Sequence, residues 1–198
     1  PAEGAPIGFE PLSRLEDLLP VYRELLHRLA DAGAQWVQLD EPALVSDSFD
    51  VPRDRVLGAA RTAYEVLGAE RPLGILVAAP YGSLDEALPV LFDAPVDAVA
   101  LDLVEGAAPA GVSTGKVLVG GVIDGRNIWR GDLDAAFGRL EALREGAPAV
   151  AVATSANLFH VPHDVEDEPD LPERLVSWLA FADQKVGQVV TLARGLRE

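Results

Sequence analysis

Carboxylates recur in this sequence where an extended apolar run gives way to a turn. Asp40 and Glu41 follow the run 36–39 and precede Pro42. The proline ring forces its neighbour into an extended or turning backbone, which aims both carboxylates out of a sheet. Such a pair can take up a proton, bind a cation or hold a substrate ammonium group. The competing role is a strand terminator with a loop hydrogen bond. Asp102 and Asp124 end two further apolar runs. At the mouth of a barrel their carboxylates would converge with that of Asp40, and mutual repulsion would raise some of their pKa values. Otherwise each caps the turn that follows it, a common use of Asp.

The stretch GVIDGRNIW (121–129) adds an arginine and an amide to this set. Arg126 beside Asp124 can pair with it or hold an anionic group through its planar fork, and Asn127 follows in the same loop. Trp129 and Trp178 are expected to pack. The segment HVPHD (160–164) offers two imidazoles and a carboxylate. Strand alternation and a single intervening turn keep both rings from facing one ion, so His160 is expected to be a hydrogen-bonded structural histidine rather than a zinc ligand. The acidic run 164–170 is expected to be a solvated loop.

The elements that position these groups alternate. Ser13, with Glu16 three residues on, is a candidate capping box for a helix whose apolar stripe runs Leu15, Leu18, Leu19, Tyr22, Leu25, Leu26 and Leu29; Gly33 ends it, and Pro20 is a candidate kink or first turn. Strands are expected at 36–39, 73–79, 96–104, 117–123 and 150–153, with helices at 53–67 (closed by Gly68), 84–92, 132–144 and 172–196. Near-continuous apolar strands separated by helices indicate a parallel sheet covered by helices. After every strand come polar groups: Asp40 and Glu41; Tyr81 and Ser83; Asp102 and Glu105; Asp124, Arg126 and Asn127; Thr154, Ser155, Asn157 and His160. Barrels and open sheets both keep their sites at that edge. No glycine-rich nucleotide phrase follows any strand, which favours a barrel. Five units do not close a parallel barrel of eight, so the expectation is an α/β fold, a partial (β/α)8 barrel over 12–198 behind a leader or linker at 1–11, with three upstream units absent.

With 32 acidic against 16 basic residues and a net charge of −16, the chain is unsuited to nucleic acid or an anionic membrane surface. No apolar run approaches about 18 residues and no signal-peptide pattern occurs, so a cytoplasmic location is expected. There are no cysteines, which removes disulfides, thiolate zinc ligands and cysteine nucleophiles together.

In combination, LLPVY (18–22), WVQLDEPAL (36–44), LDLV (101–104), GVIDGRNIW (121–129), HVP (160–162) and SWLAFA (177–182) resemble the amino-terminal domain of cobalamin-independent methionine synthase, in its latter part. The resemblance implies a barrel of an enzyme made of two face-to-face barrels, which moves a methyl group from methyltetrahydrofolate polyglutamate to homocysteine with the help of zinc. It places the zinc ligands and homocysteine in a carboxyl-terminal barrel without counterpart here, so no cofactor is expected in this chain and no catalytic residue transfers. The expected partners are a second barrel polypeptide or a further copy of the chain, with a folate or other small-molecule ligand. The ligand-binding candidates are Asp40, Glu41, Asp102, Asp124, Arg126, Asn127 and His160. The alternative expectation is an independent small barrel enzyme with a carboxylate-lined mouth.

Overall fold

The structure, a computed structural model, describes residues 10–48, 50–109, 111 and 113–197. Most of the 1–11 leader lies outside the described residues. A short 3-10 helix, Pro11–Arg14, leads directly into helix α1, Leu15–Asp31. Strand β1 is Trp36–Asp40, and helix α2 is Arg53–Ala69. Then come β2 (Gly74–Ala79), α3 (Leu88–Asp93), β3 (Ala98–Asp102) and β4 (Val117–Ile123). Helix α4 is Leu133–Arg144, β5 is Val150–Thr154, and two helices close the chain, α5 (Glu173–Val176) and α6 (Ala182–Gly195).

The five parallel strands form one sheet in the order β1-β2-β3-β4-β5. Each strand lies beside its sequence neighbour, the order of a stretch of β/α barrel; a doubly wound sheet reverses direction at a switch point. The strands fall where the apolar runs put them. The chain divides into two compact units, one of residues through Ala79 with Leu84–Val99, the other of Pro80–Ser83 with residues from Ala100 onward.

In the first unit β1 pairs with β2 in parallel, Val37 opposite Ile75 and Leu39 opposite Val77. Ile75 and Val77 are fully buried. Asp97 ties the start of β3 to this unit: its amide donates to the Ile75 carbonyl, its Oδ2 accepts from the Ile75 amide at 2.9 Å, and its Oδ1 pairs with Arg71. In the second unit β4 pairs with β5 in parallel, Val119 opposite Ala151, with an irregularity between Gly121 and Ile123. Gly121 is dictated by packing, because a Cβ there would come within 2.8 Å of the Leu101 carbonyl oxygen and 3.0 Å of the Thr154 carbonyl oxygen. Asp132 caps α4 by accepting from the Ala135 amide at 3.0 Å.

Several local expectations are corrected. Ser13 does not cap α1; its hydroxyl donates to the Glu10 carbonyl, and Arg14 holds the N-cap position without a side-chain bond. Pro20 sits inside α1, which continues through it. Of the leucine stripe only Leu19 and Leu26 are buried, while Leu18, Tyr22 and Leu25 face solvent. Gly68 does not close α2, which runs on to Ala69. The helix expected over 84–92 begins as a 3-10 turn, Asp85–Ala87, before α3. The long terminal helix is two helices separated by 177–181, and Trp129 and Trp178 are about half exposed rather than packed.

Candidate functional site

In the first unit Asp40 and Glu41 stand at the carboxyl end of β1. Glu41 is half-buried, and its Oε1 accepts from the hydroxyl of fully buried Tyr64 at 2.7 Å. Burial pushes the Glu41 carboxyl above its ordinary value; the Tyr64 bond opposes this and neighbouring Asp40 adds to it. Burial, then the adjoining carboxylate, keeps the Tyr64 phenol protonated far above its usual range. Asp40 is exposed and accepts from Gln38 Nε2 at 2.8 Å. The two carboxylates border a groove of about 390 Å³ whose remaining walls are largely apolar, among them Leu15, Leu19, Tyr22 and Leu67.

In the second unit Asp102 is buried, and its role is to hold backbone. Oδ1 accepts from the amides of Val104 and Glu105 at 2.9 Å each, and Oδ2 accepts from the amide of Tyr81 at 3.0 Å. The turn-capping reading of Asp102 therefore describes what it does. Tyr81 adopts φ of 80°, a left-handed conformation unusual for a side chain of its size. Its hydroxyl lies 3.2 Å from His160 Nε2 and 3.5 Å from Asn157 Nδ2, while the Arg126 guanidinium carbon stands 5.8 Å from its ring centroid. Arg126 pairs with Glu105, not with Asp124. Loops after β2, β4 and β5 thus meet around one phenol ring, while Asp102 at the end of β3 holds the Tyr81 backbone.

Asp124 instead organises its own loop. Oδ1 accepts from the Arg126 amide at 2.8 Å and Oδ2 from Asn127 Nδ2 at 2.6 Å. The Asn127 side-chain Oδ1 accepts from the Trp129 amide and, at 3.3 Å, from Lys185 Nζ, which also donates to the Trp129 backbone carbonyl at 3.2 Å. Lys185 is fully buried. Burial pushes its pKa below the usual lysine value, with Asp124 pulling the other way. Sequence reasoning missed this lysine. The available signal was its place on α6, four residues after Phe181 and seven before Leu192, on the face that carries both buried residues.

Three of the sequence phrases meet here through their backbones. Trp129 bridges Leu179 antiparallel, the Arg130 amide donates to the Trp178 carbonyl, and the Ala180 amide donates to the Ile128 carbonyl. The amides of Ala182 and Asp183 donate to the carbonyls of Pro162 and His163. Val165, Leu179 and Phe181 form the small core beneath, with Ile128 and Leu175 against it. His160 stands beside Tyr81, whereas His163 faces Asp167 and Asp183 at 3.6 and 3.8 Å. Among the described residues no three His, Cys, Asp or Glu side chains are placed to share a metal ion. The His, Asp and Glu side chains at this edge, with no cysteine among them, are not placed as a zinc site.

A singly wound parallel sheet with polar loops at its carboxyl edge defines a β/α barrel-type protein. The family described as cobalamin-independent synthase, N-terminal domain, matches residues 2–148, and the chain belongs to that family. It is 52% identical over 195 residues to a 5-methyltetrahydropteroyltriglutamate–homocysteine methyltransferase of Mycobacterium bovis, covering 95% of this chain and 25% of that protein. To the protein of the same name from Streptomyces avermitilis it is 49% identical over 205 residues, covering 99% of this chain and 26% of the other. The chain therefore spans about a quarter of the length of these relatives. A B12-independent methionine synthase from Shewanella sp. W3-18-1, solved with selenomethionine, shares the fold with a TM-score of 0.60 at 17% identity, over 91% of this chain and 54% of that one. Among the described residues no helix is long and apolar enough to cross a membrane.

Proposed function

We propose that this chain provides part of the amino-terminal domain of a methyltransferase that moves a methyl group from 5-methyltetrahydropteroyltriglutamate to homocysteine, acting as a scaffold or folate-side wall and not itself activating homocysteine. The observation that carries this reading is the 52% identity over 195 residues to a protein so named, of which the chain spans 25%. The residues at the carboxyl edge support it. Asp102, Asp124, Asn127 and Lys185 spend their polar groups on holding loops, which leaves Arg126, Asn157, His160 and the Tyr81 hydroxyl as the groups able to meet a ligand or a neighbouring domain.

The test is methyl transfer assayed with the purified chain alone, with elemental analysis alongside. No methionine above background and no stoichiometric zinc after dialysis are expected. Turnover proportional to the concentration of the chain, or one zinc per chain, overturns the reading.

A second reading, an independent small enzyme using a carboxylate-lined mouth, draws on Glu41. A half-buried carboxyl with a raised pKa beside an open groove is a suitable general acid or base. It predicts that Glu41→Gln abolishes turnover of whatever substrate a screen discovers, whereas the first reading predicts no such substrate.

A further inference from the structure

At the carboxyl edge of the second unit, backbone contacts lock neighbouring loops together. Buried Asp102 at the end of β3 holds the Tyr81 amide, and the Gly125 amide donates to Ser155 Oγ at 3.3 Å. A Cβ at Gly106 would come within 2.6 Å of the Asp102 carbonyl oxygen and 3.0 Å of Ser83 Cα, and one at Gly125 within 2.4 Å of the Ala156 carbonyl oxygen. On this fixed rim Tyr81 holds φ of 80°, which glycine would adopt freely, so the turn by itself has no need of a tyrosine. Residues kept in such conformations cluster at ligand sites. What glycine would lack is the phenol, whose hydroxyl lies 3.2 Å from His160 Nε2 and 3.5 Å from Asn157 Nδ2.

Three carboxylates and one guanidinium share the rim. Asp102 accepts three backbone N–H groups, and Asp124 accepts the Arg126 amide and the Asn127 side chain, so both are committed to their own loops. Glu105 has Arg126 as its side-chain partner. The Arg126 and Glu105 side chains are 36% and 49% exposed, a setting in which an ion pair adds little to stability and is easily exchanged. Arg126 meets Glu105 through Nη2 alone, and among the described residues its Nε and Nη1 donate to no partner, although a guanidinium fork suits two-point binding of a carboxylate.

We propose that this rim binds a small dicarboxylate. One carboxylate takes the Arg126 fork in place of Glu105, and the other accepts from the Tyr81 hydroxyl and the Asn157 amide. Glu105 is a built-in stand-in: it keeps the guanidinium above the Tyr81 ring, 5.8 Å from its centroid, until the ligand displaces it. Donors are what the rim offers, and an ionised dicarboxylate carries acceptors only. The inference rests on the reading of this edge as the side that meets a ligand and makes no use of methyl transfer.

The probe is glutarate, titrated into the whole chain at constant pH and ionic strength while imidazole proton resonances are followed. The chain has three histidines, so each can be tracked: His160 reports on the rim, and His27 and His163 serve as controls. We expect a saturable shift of His160 alone, and a clearly weaker response to acetate, which has one carboxylate. Glu105→Gln frees the fork and should lower the midpoint by about threefold, the scale of an exposed ion pair. Arg126→Gln should raise it by about tenfold, the scale of a charge-assisted bond. If Arg126→Gln unfolds by circular dichroism, Tyr81→Phe takes its place and should also raise the midpoint. Shifts that never saturate or that are equal at all three histidines overturn the proposal, as do acetate binding as tightly as glutarate and a Glu105→Gln midpoint unchanged from wild type. Such a failure leaves the family assignment and the scaffold role standing, since the readout is binding and not turnover.

Discussion

Tyr81 holds φ of 80° because the buried Asp102 carboxylate accepts its amide proton. A left-handed conformation costs a residue with a Cβ about 1 to 2 kcal/mol, and glycine almost nothing. Tyr81→Gly should therefore be more stable than Tyr81→Ala by about 1 kcal/mol in denaturant titrations, although both lose the contacts to His160 and Arg126; equal stabilities would mean that the strain is not there. Glu41 gives a pH signature. Its folded pKa is raised, so between the ordinary value of 4.5 and the folded one the native chain holds more proton than the unfolded chain. Stability from this group is present below that window and is lost as pH rises through it. Glu41→Gln, which can still accept from Tyr64, should flatten this decline, and identical pH profiles for the two proteins would refute it. Lys185→Met should cost about 1 to 3 kcal/mol, since the Trp129 carbonyl loses its buried donor. The candidates Asp40, Glu41, Asp102, Asp124, Arg126, Asn127 and His160 could be picked out in sequence because each follows an apolar run. Their partners could not. The pairing of Arg126 with Glu105 and of Asn127 with Lys185 spans 21 and 58 residues, and nothing local encodes either.

At the scale of elements, apolar runs placed all five strands; β2, β3 and β4 are largely buried, and a strand buried on both faces needs little more than such a run, whereas β1 and β5 are only partly covered. Helix ends were less legible, since local signals there lost to packing. Glycine after a helical run usually marks an end, yet Gly68 lies within α2 because a Cβ at that position would come within 2.3 Å of the Pro95 carbonyl oxygen. The sequence cue concerned backbone freedom, and the requirement was close approach. A Cβ added at Gly58 or Gly138 would meet nothing within 4 Å, so replacement there meets only helix propensity. Gly58→Ala and Gly138→Ala should each stabilise by about 0.5 to 1 kcal/mol, whereas Gly68→Ala should destabilise despite the same propensity gain. Thermal unfolding of the three variants checks the contrast, and a stabilising Gly68→Ala would show that α2 can move away from Pro95. The break between α5 and α6 has a similar origin. Periodicity continues through 177–181, but the Ala180 amide and the Trp178 carbonyl bond to the loop after β4, and a tertiary bridge overrides the helical pattern.

For the whole molecule, two opposing properties decide its behaviour in solution. A net charge of −16 makes copies repel one another, while the exposed stripe of Leu18, Val21, Tyr22 and Leu25 and the edge of β1 favour association. Apolar burial stabilises by roughly 25 cal/mol per Å² and is not screened by salt. Charge repulsion is screened, its range falling from about 30 Å at about 10 mM salt to about 3 Å at about 1 M. The balance should therefore tip with ionic strength. Light scattering is expected to find monomer at low salt and larger species as salt is raised. The double variant Val21→Lys, Leu25→Lys should stay monomeric throughout, because it interrupts the stripe without touching buried Leu19 or Leu26. It also lowers the net negative charge, which by itself would promote association, so a monomeric variant at high salt isolates the apolar stripe as the cause. A wild-type chain that remains monomeric at about 1 M salt would mean that the stripe and the edge are too weakly apolar to drive association at all.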